Sequence, residues 1–248
     1  MQEDLMSSQE LERARSYEEE REKRILAEDR PAFHLSARVG WMNDPNGFSR
    51  YKDQYHLFYQ YHPYDSHWGP MHWGHAVSKD LLHWEYLPAA LAPDMPYDRE
   101  GCFSGGAMEL ADGRQMLMYT GVSREIGENG DPCDVQTQCV AFGDGVDYEK
   151  YSGNPVLTIE DLPEGADKTE FRDPRIWQEE DGTFKALTIN GKSYKVLQTD
   201  AAVHQCGEGS KVNDLECVDL SGIADTGEAE ANGVACEDTD DKGNELGH

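Results

Sequence analysis

The chain has 248 residues, enough for one large domain or two small ones with a substantial core. Its 22 lysines and arginines stand against 49 aspartates and glutamates, a formal charge of −27, which disfavours nucleic acid and anionic membranes because both need a basic footprint. No apolar run approaches the roughly 20 residues of a membrane helix, and the first residues lack the hydrophobic core of a secretory signal. Six scattered cysteines without a Cys-x-x-Cys pair fit reduced thiols, so a cytoplasmic protein is expected.

Residues 8–28 read as a charged, solvated helix: Ser8 can cap it, acids and bases fall three or four apart from Glu10 to Lys23, and Pro31 ends it. From Phe33 the texture changes to short aromatic and β-branched runs cut by Gly, Pro, Asn and Asp. Gln54 to Tyr61, Trp73 to Val77, Gln115 to Thr120 and Thr183 to Ile189 are such runs, and they predict an all-β sandwich, barrel or propeller. Three polar landmarks recur in similar surroundings: Asp44 in Trp41-Met42-Asn43-Asp44-Pro45-Asn46-Gly47, Ser104 in Cys102-Phe103-Ser104-Gly105-Gly106, and Asp173 in Phe171-Arg172-Asp173-Pro174. They lie roughly 60 to 70 residues apart, near or somewhat above one four-stranded propeller blade, and the inner strands of successive blades all face one channel. The tail beyond Gly207 is rich in Asp, Glu, Gly and Ala and has no aromatic residue, so poor order is expected there. The expected organisation is a charged helix over 1–30, a β domain over 31–206, and an acidic tail over 207–248 that carries Glu216-Cys217.

Asp-Pro-Asn-Gly is a strong turn sequence, which puts the Asp44 carboxylate in a rigid turn. Around it crowd Trp41, Phe48, Tyr55, Phe58, Tyr59, Tyr61 and Trp68, with the amides of Asn43 and Gln60, and aromatic faces with amides suit sugar rings. Retaining glycoside hydrolysis needs two carboxyl groups about 5 to 5.5 Å apart, one to attack and one to protonate the leaving oxygen. Asp44 suits the first role. Glu216, beside Leu215, Cys217 and Val218, is either the acid and base or a surface carboxylate. Arg172-Asp173 is either a structural ion pair before Pro174 or a device in which Asp173 holds sugar hydroxyls while Arg172 keeps it ionised. His56, His62, His67, His72, His75 and His83 match no zinc signature, and ring packing is their expected use. No phosphate loop or dinucleotide fingerprint is present.

With these motifs in order, the sequence resembles glycoside hydrolase family 32, the β-fructofuranosidases that include invertase, sucrose-6-phosphate hydrolase and fructan hydrolases. The matching segments are 41–47, 103–105, 171–174 and 216–217, together with Phe58 to Pro63 and His72 to Trp84. The resemblance implies a five-bladed β-propeller, incomplete here with about three to four blades, and no metal or cofactor. It implies Asp44 as nucleophile, Asp173 as transition-state stabiliser and Glu216 as acid/base, with Asn43, Gln60, Trp68, Phe103, Ser104 and Arg172 lining a fructosyl pocket. The implied reaction is cleavage of terminal β-fructofuranosyl bonds of sucrose, its phosphate or fructans, with retention. The 32 residues after Glu216 are expected to be too few for the remaining blades, and an inactive or sugar-binding remnant is the alternative.

Overall fold

The computed structural model describes residues 8–199 except 128, 163–165, 167, 180–183 and 191–192. Glu216 and the acidic tail lie outside the described residues. One helix, α1 (Gln9–Glu22), precedes eleven strands: β1 (Trp41–Tyr51), β2 (Gln54–His62), β3 (His72–Ser78), β4 (Glu85–Leu91), β5 (Gly101–Glu109), β6 (Gln115–Ile126), β7 (Pro132–Gly143), β8 (Tyr148–Lys150), β9 (Phe171–Gln178), β10 (Phe184–Asn190) and β11 (Ser193–Thr199). No helix among the described residues is long and apolar enough to cross a membrane.

The strands form three antiparallel meanders: β1-β2-β3-β4, β5-β6-β7-β8 and β9-β10-β11. In each the first strand is an edge, and β1 lies beside β5 as β5 lies beside β9. These are successive blades of a propeller-type all-β fold, with their innermost strands gathered on one side. Pro45 and Pro174 therefore sit on edge strands, where a missing N–H breaks no central ladder.

The core lies between the sheets. Phe58 and Trp73 of the first sheet meet Leu117, Tyr119 and Cys139 of the second. Met116, Met118, Val140 and Phe142 of the second meet Phe171, Phe184 and Ala186 of the third. The other face of the first sheet is covered by α1 and the segment before β1, where Leu11 and Val39 meet Tyr59, Tyr61 and Ala89, so β3 is buried along its whole length rather than on alternate residues. At Gly74 a Cβ would stand 2.1 Å from the Tyr59 ring, so that close approach needs glycine.

The helix differs from its sequence reading in two ways. Ser8 does cap it, with Oγ accepting from the Leu11 N–H at 3.1 Å, but it ends at Glu22, well before Pro31. It is also docked rather than solvated. Glu18 is buried and accepts from the Ala89 N–H of β4 at 2.9 Å and from Arg38 Nη1 at 3.0 Å. Arg15 donates to the Ala89 carbonyl at 2.9 Å and pairs with Asp147 at 2.6 Å. A charged helix whose partners are remote in sequence looks, locally, like one covered in water.

Candidate active site

Each inner strand loses its pairing register at its motif. Met42 pairs with Tyr61 and Pro45 with Tyr59, so Asn43 and Asp44 together oppose Gln60 alone. On β5, Phe103 pairs with Thr120 and Gly105 with Tyr119, which leaves Ser104 as the extra residue. On β9, Arg172 pairs with Ile189 and Arg175 with Leu187, so Asp173 and Pro174 share one opposing residue. Such bulges re-aim side chains that a regular pleat would send elsewhere. The Asp-Pro-Asn-Gly segment is thus a bulged strand and not the turn its composition suggests. A second register shift follows at Gly47, whose φ of +49° needs glycine and where a Cβ would meet the Phe58 ring at 2.8 Å.

The three bulges open onto one cavity of about 220 Å³ lined by Asn43, Asp44, Gln60, Trp68, Phe103, Ser104, Arg172 and Asp173. That is below the several hundred cubic ångströms of a drug-sized pocket and is on the scale of one small ring. Eight of the nine residues expected at the site therefore come together; the ninth, Glu216, lies outside the described residues.

The walls are fixed from behind. Gln60 is buried and donates to the Cys102 carbonyl at 2.9 Å, tying β2 to β5. Trp73 Nε1 donates to the Phe103 carbonyl at 3.0 Å. Trp41 Nε1 donates to Asn43 Oδ1 at 2.8 Å. Trp68, 57% exposed, stands edge-on to Phe103 with ring centroids 6.2 Å apart and forms an apolar rim.

Asp173 has φ +56°, a left-handed conformation uncommon outside glycine. Its N–H donates to Thr120 Oγ1 at 3.0 Å, and Arg172 Nε lies 3.5 Å from its Oδ2. Burial raises the Asp173 carboxyl above the ordinary carboxylate range; Arg172 opposes that shift, and the charges of Asp44 and Glu170 add to it. Arg172 also pairs with Glu170. The chemistry on offer is a pair of acidic groups that feel each other, one of them held beside a guanidinium, under an aromatic rim.

Behind the site, three of the histidines are buried and packed. His56 Nδ1 lies 3.0 Å from His75 Nε2, and His75 stacks on Phe58 at 4.1 Å. His72 Nδ1 donates to the Pro70 carbonyl at 3.1 Å. Sequence reasoning missed Thr120, Gln136 and Gln138, which hold β9, and Lys150, which braces β5. For the glutamines the available signal was their spacing two apart in Gln136-Thr137-Gln138, leading into the apolar run Cys139 to Phe142.

Residues 34–235 match the family model described as Glycosyl hydrolases family 32 N-terminal domain. The chain is 47% identical over 208 residues to sucrose-6-phosphate hydrolase of Escherichia coli, covering 79% of this chain and 42% of that protein. It is 46% identical over 170 residues to acid beta-fructofuranosidase 1, vacuolar, of a Rosa hybrid cultivar, covering 66% of this chain and 27% of that protein. Among solved structures, a mutant of the Bombyx mori GH32 beta-fructofuranosidase in complex with sucrose superimposes with a TM-score of 0.66 at 40% identity, over 78% of this chain and 39% of that one. The sucrose-6-phosphate hydrolase of Lactobacillus gasseri gives 0.59 at 30% identity, over 79% and 38%. The chain spans about two fifths of the length of the E. coli, Bombyx mori and Lactobacillus gasseri relatives.

Proposed function

Because the chain belongs to glycosyl hydrolase family 32, we propose that it cleaves a terminal β-fructofuranosyl bond with retention of configuration. Sucrose or sucrose 6-phosphate is the proposed substrate class, after the names of the E. coli and Lactobacillus gasseri sucrose-6-phosphate hydrolases and the sucrose complex of the Bombyx mori relative. One observation carries the reading: three strands from three different sheets each break register where they deliver a motif residue to the same small cavity.

In the proposed reaction Asp44 attacks the anomeric carbon of the fructosyl group, and Glu216 protonates the departing oxygen. The resulting ester is then hydrolysed by a water that Glu216 deprotonates, which restores both groups. Asp173 accepts hydrogen bonds from ring hydroxyls as positive charge develops at the anomeric centre, and Arg172 favours its ionised form. Asn43, Gln60 and Ser104 supply further polar contacts, and Phe103 and Trp68 the apolar surface that excludes water.

The test is fructose release from sucrose and from sucrose 6-phosphate by the 248-residue chain, with Asp44→Asn alongside. Release that falls by 10³-fold or more in Asp44→Asn, roughly the loss expected on removing a nucleophile, supports the reading. Turnover only of an activated fructoside, whose leaving group needs no proton, points to an unassembled acid. No turnover of any of the three by the folded chain leaves a sugar-binding or inactive relative.

A further inference from the structure

Strand β9 carries Arg172 and Asp173 on an edge, so its outward backbone groups have no strand to pair with. They are satisfied by side chains of the second sheet instead. The Phe171 N–H donates to Gln136 Oε1 at 2.7 Å, and the Phe171 carbonyl accepts from Gln138 Nε2 at 2.8 Å. The Asp173 N–H donates to Thr120 Oγ1 at 3.0 Å, and Thr120 Oγ1 in turn donates to Gln138 Oε1 at 3.4 Å. Thr120 and Gln138 are fully buried and Gln136 is 8% exposed. They belong together by register, since Thr120 pairs with Gln138 and Val122 with Gln136 across β6 and β7.

Three buried polar side chains are a costly way to fill an interface. Each must keep its hydrogen bonds or forfeit stability, and aliphatic residues would pack the same space without that demand. What they supply is a fixed set of donors and acceptors that mimics a neighbouring strand. It meets β9 on both sides of Arg172, at the point where Pro174 offers no N–H and Asp173 adopts φ +56°. A non-glycine residue in that conformation persists only when its surroundings over-determine it.

We propose that Thr120, Gln136 and Gln138 are positioning residues that hold the Arg172-Asp173 segment in its bulged form and so aim the Asp173 carboxylate into the pocket. The catalytic half of this inference rests on the hydrolase reading given above; the structural half does not. Thr120 acts on Asp173 directly, and the two glutamines act through Phe171 and through Thr120.

The experiment compares Thr120→Val, Thr120→Ser and Gln136→Met in the 248-residue chain by sucrose kinetics and by backbone amide exchange. For Thr120→Val the expected result is a kcat lower by about 10²-fold, the scale of a 1 Å misplacement. KM is expected to change far less, and the Asp173 amide to exchange faster while the amides of β2 and β6 do not. Thr120→Ser, which keeps the hydroxyl, is expected to restore kcat to within a few-fold. An unchanged kcat in Thr120→Val, or a loss that Thr120→Ser fails to rescue, would overturn the proposal. Gln136→Met carries the same expectation in milder form and decides the matter should Thr120→Val not fold. If the wild-type chain releases no fructose, the hydrolase reading fails separately. The positioning role is then read from a fructose titration followed at the Asp173 amide: equal affinity in wild type and Thr120→Val overturns it, and weaker binding in the variant supports it.

Discussion

Lys150 Nζ lies 2.6 Å from Asp98 Oδ2, with the side chain of Asp98 fully buried and that of Lys150 only 11% exposed. The ammonium also donates to the Ala92 carbonyl at 2.6 Å and to Asp94, and Asp98 accepts from Tyr119 OH at 2.8 Å and the Met95 N–H at 2.9 Å. All three ammonium protons are thus taken. The knot sits against Cys102, whose carbonyl receives Gln60, so it braces the pocket wall from the far side. Lys150→Met is expected to lose about 3 to 5 kcal/mol, the cost of leaving a buried carboxylate without its cation. Urea unfolding measures this. The double variant Lys150→Met with Asp98→Asn is expected to recover part of the loss, and additive effects would contradict the pairing.

The buried histidines set an acid limit on stability. Burial lowers His56 and His72 to about 4, and His75 is lowered well below its usual value. A histidine with a depressed folded pKa contributes stability that is present above its unfolded pKa of about 6.5 and is lost as pH falls towards 4, because the unfolded chain takes up the proton first. For His56 and His72 the expected loss is on the order of 2 kcal/mol each by pH 5. Glu18 and Asp98, whose carboxyls burial raises, act in the opposite sense. The histidine contribution is therefore isolated by comparison with His72→Gln, in which the slope of stability against pH between 5 and 6.5 is expected to fall by about one proton. Equal slopes would contradict it.

Arg172 tunes Asp173. Burial raises the Asp173 carboxyl and the guanidinium opposes that shift, so Arg172→Leu removes the opposing charge and the carboxyl titrates at still higher pH. If the ionised form stabilises the transition state, the acid limb of kcat/KM moves upward in pH in the variant. A profile that falls uniformly at every pH would assign Arg172 to substrate contact instead.

The helix is expected to matter beyond its own residues. Arg38→Ala leaves buried Glu18 without its ion-pair partner, although the Ala89 N–H still donates to it and Arg15 still favours its charge. A loss of about 3 kcal/mol follows. Thermal unfolding is expected to show one transition, with α1 and the first sheet melting together. A separate early loss of helical signal would show that the helix is only loosely attached.

Much of the site was legible in the sequence because its residues come in short, dense motifs. Asp44, Ser104 and Asp173 were visible as polar interruptions of aromatic strands, and their spacing already suggested blades converging on a channel. The geometry that joins them was not legible. Asp-Pro-Asn-Gly has the composition of a turn, and only its place on an edge strand, opposite Gln60, makes it a bulge. Thr120, Gln138 and Lys150 escaped for a different reason: their partners lie 53, 33 and 52 residues away. For Thr120 and Lys150 nothing in the local pattern distinguishes a buried, bonded polar residue from a solvated one, and the alternation of Gln136 and Gln138 signals a shared strand face without naming its partner.

The three register breaks also bear on how such a chain can change over generations. Each bulge holds one residue more than the ladder beside it requires, and the ladder around it would be more regular without that residue. Deletion of Ser104, for example, would let β5 and β6 pair without interruption while removing a wall of the cavity. Selection for a sturdier sheet and selection for a working pocket therefore pull these same few positions in opposite directions. Lineages released from the second demand should drift first by losing single residues there, before any change in the buried core.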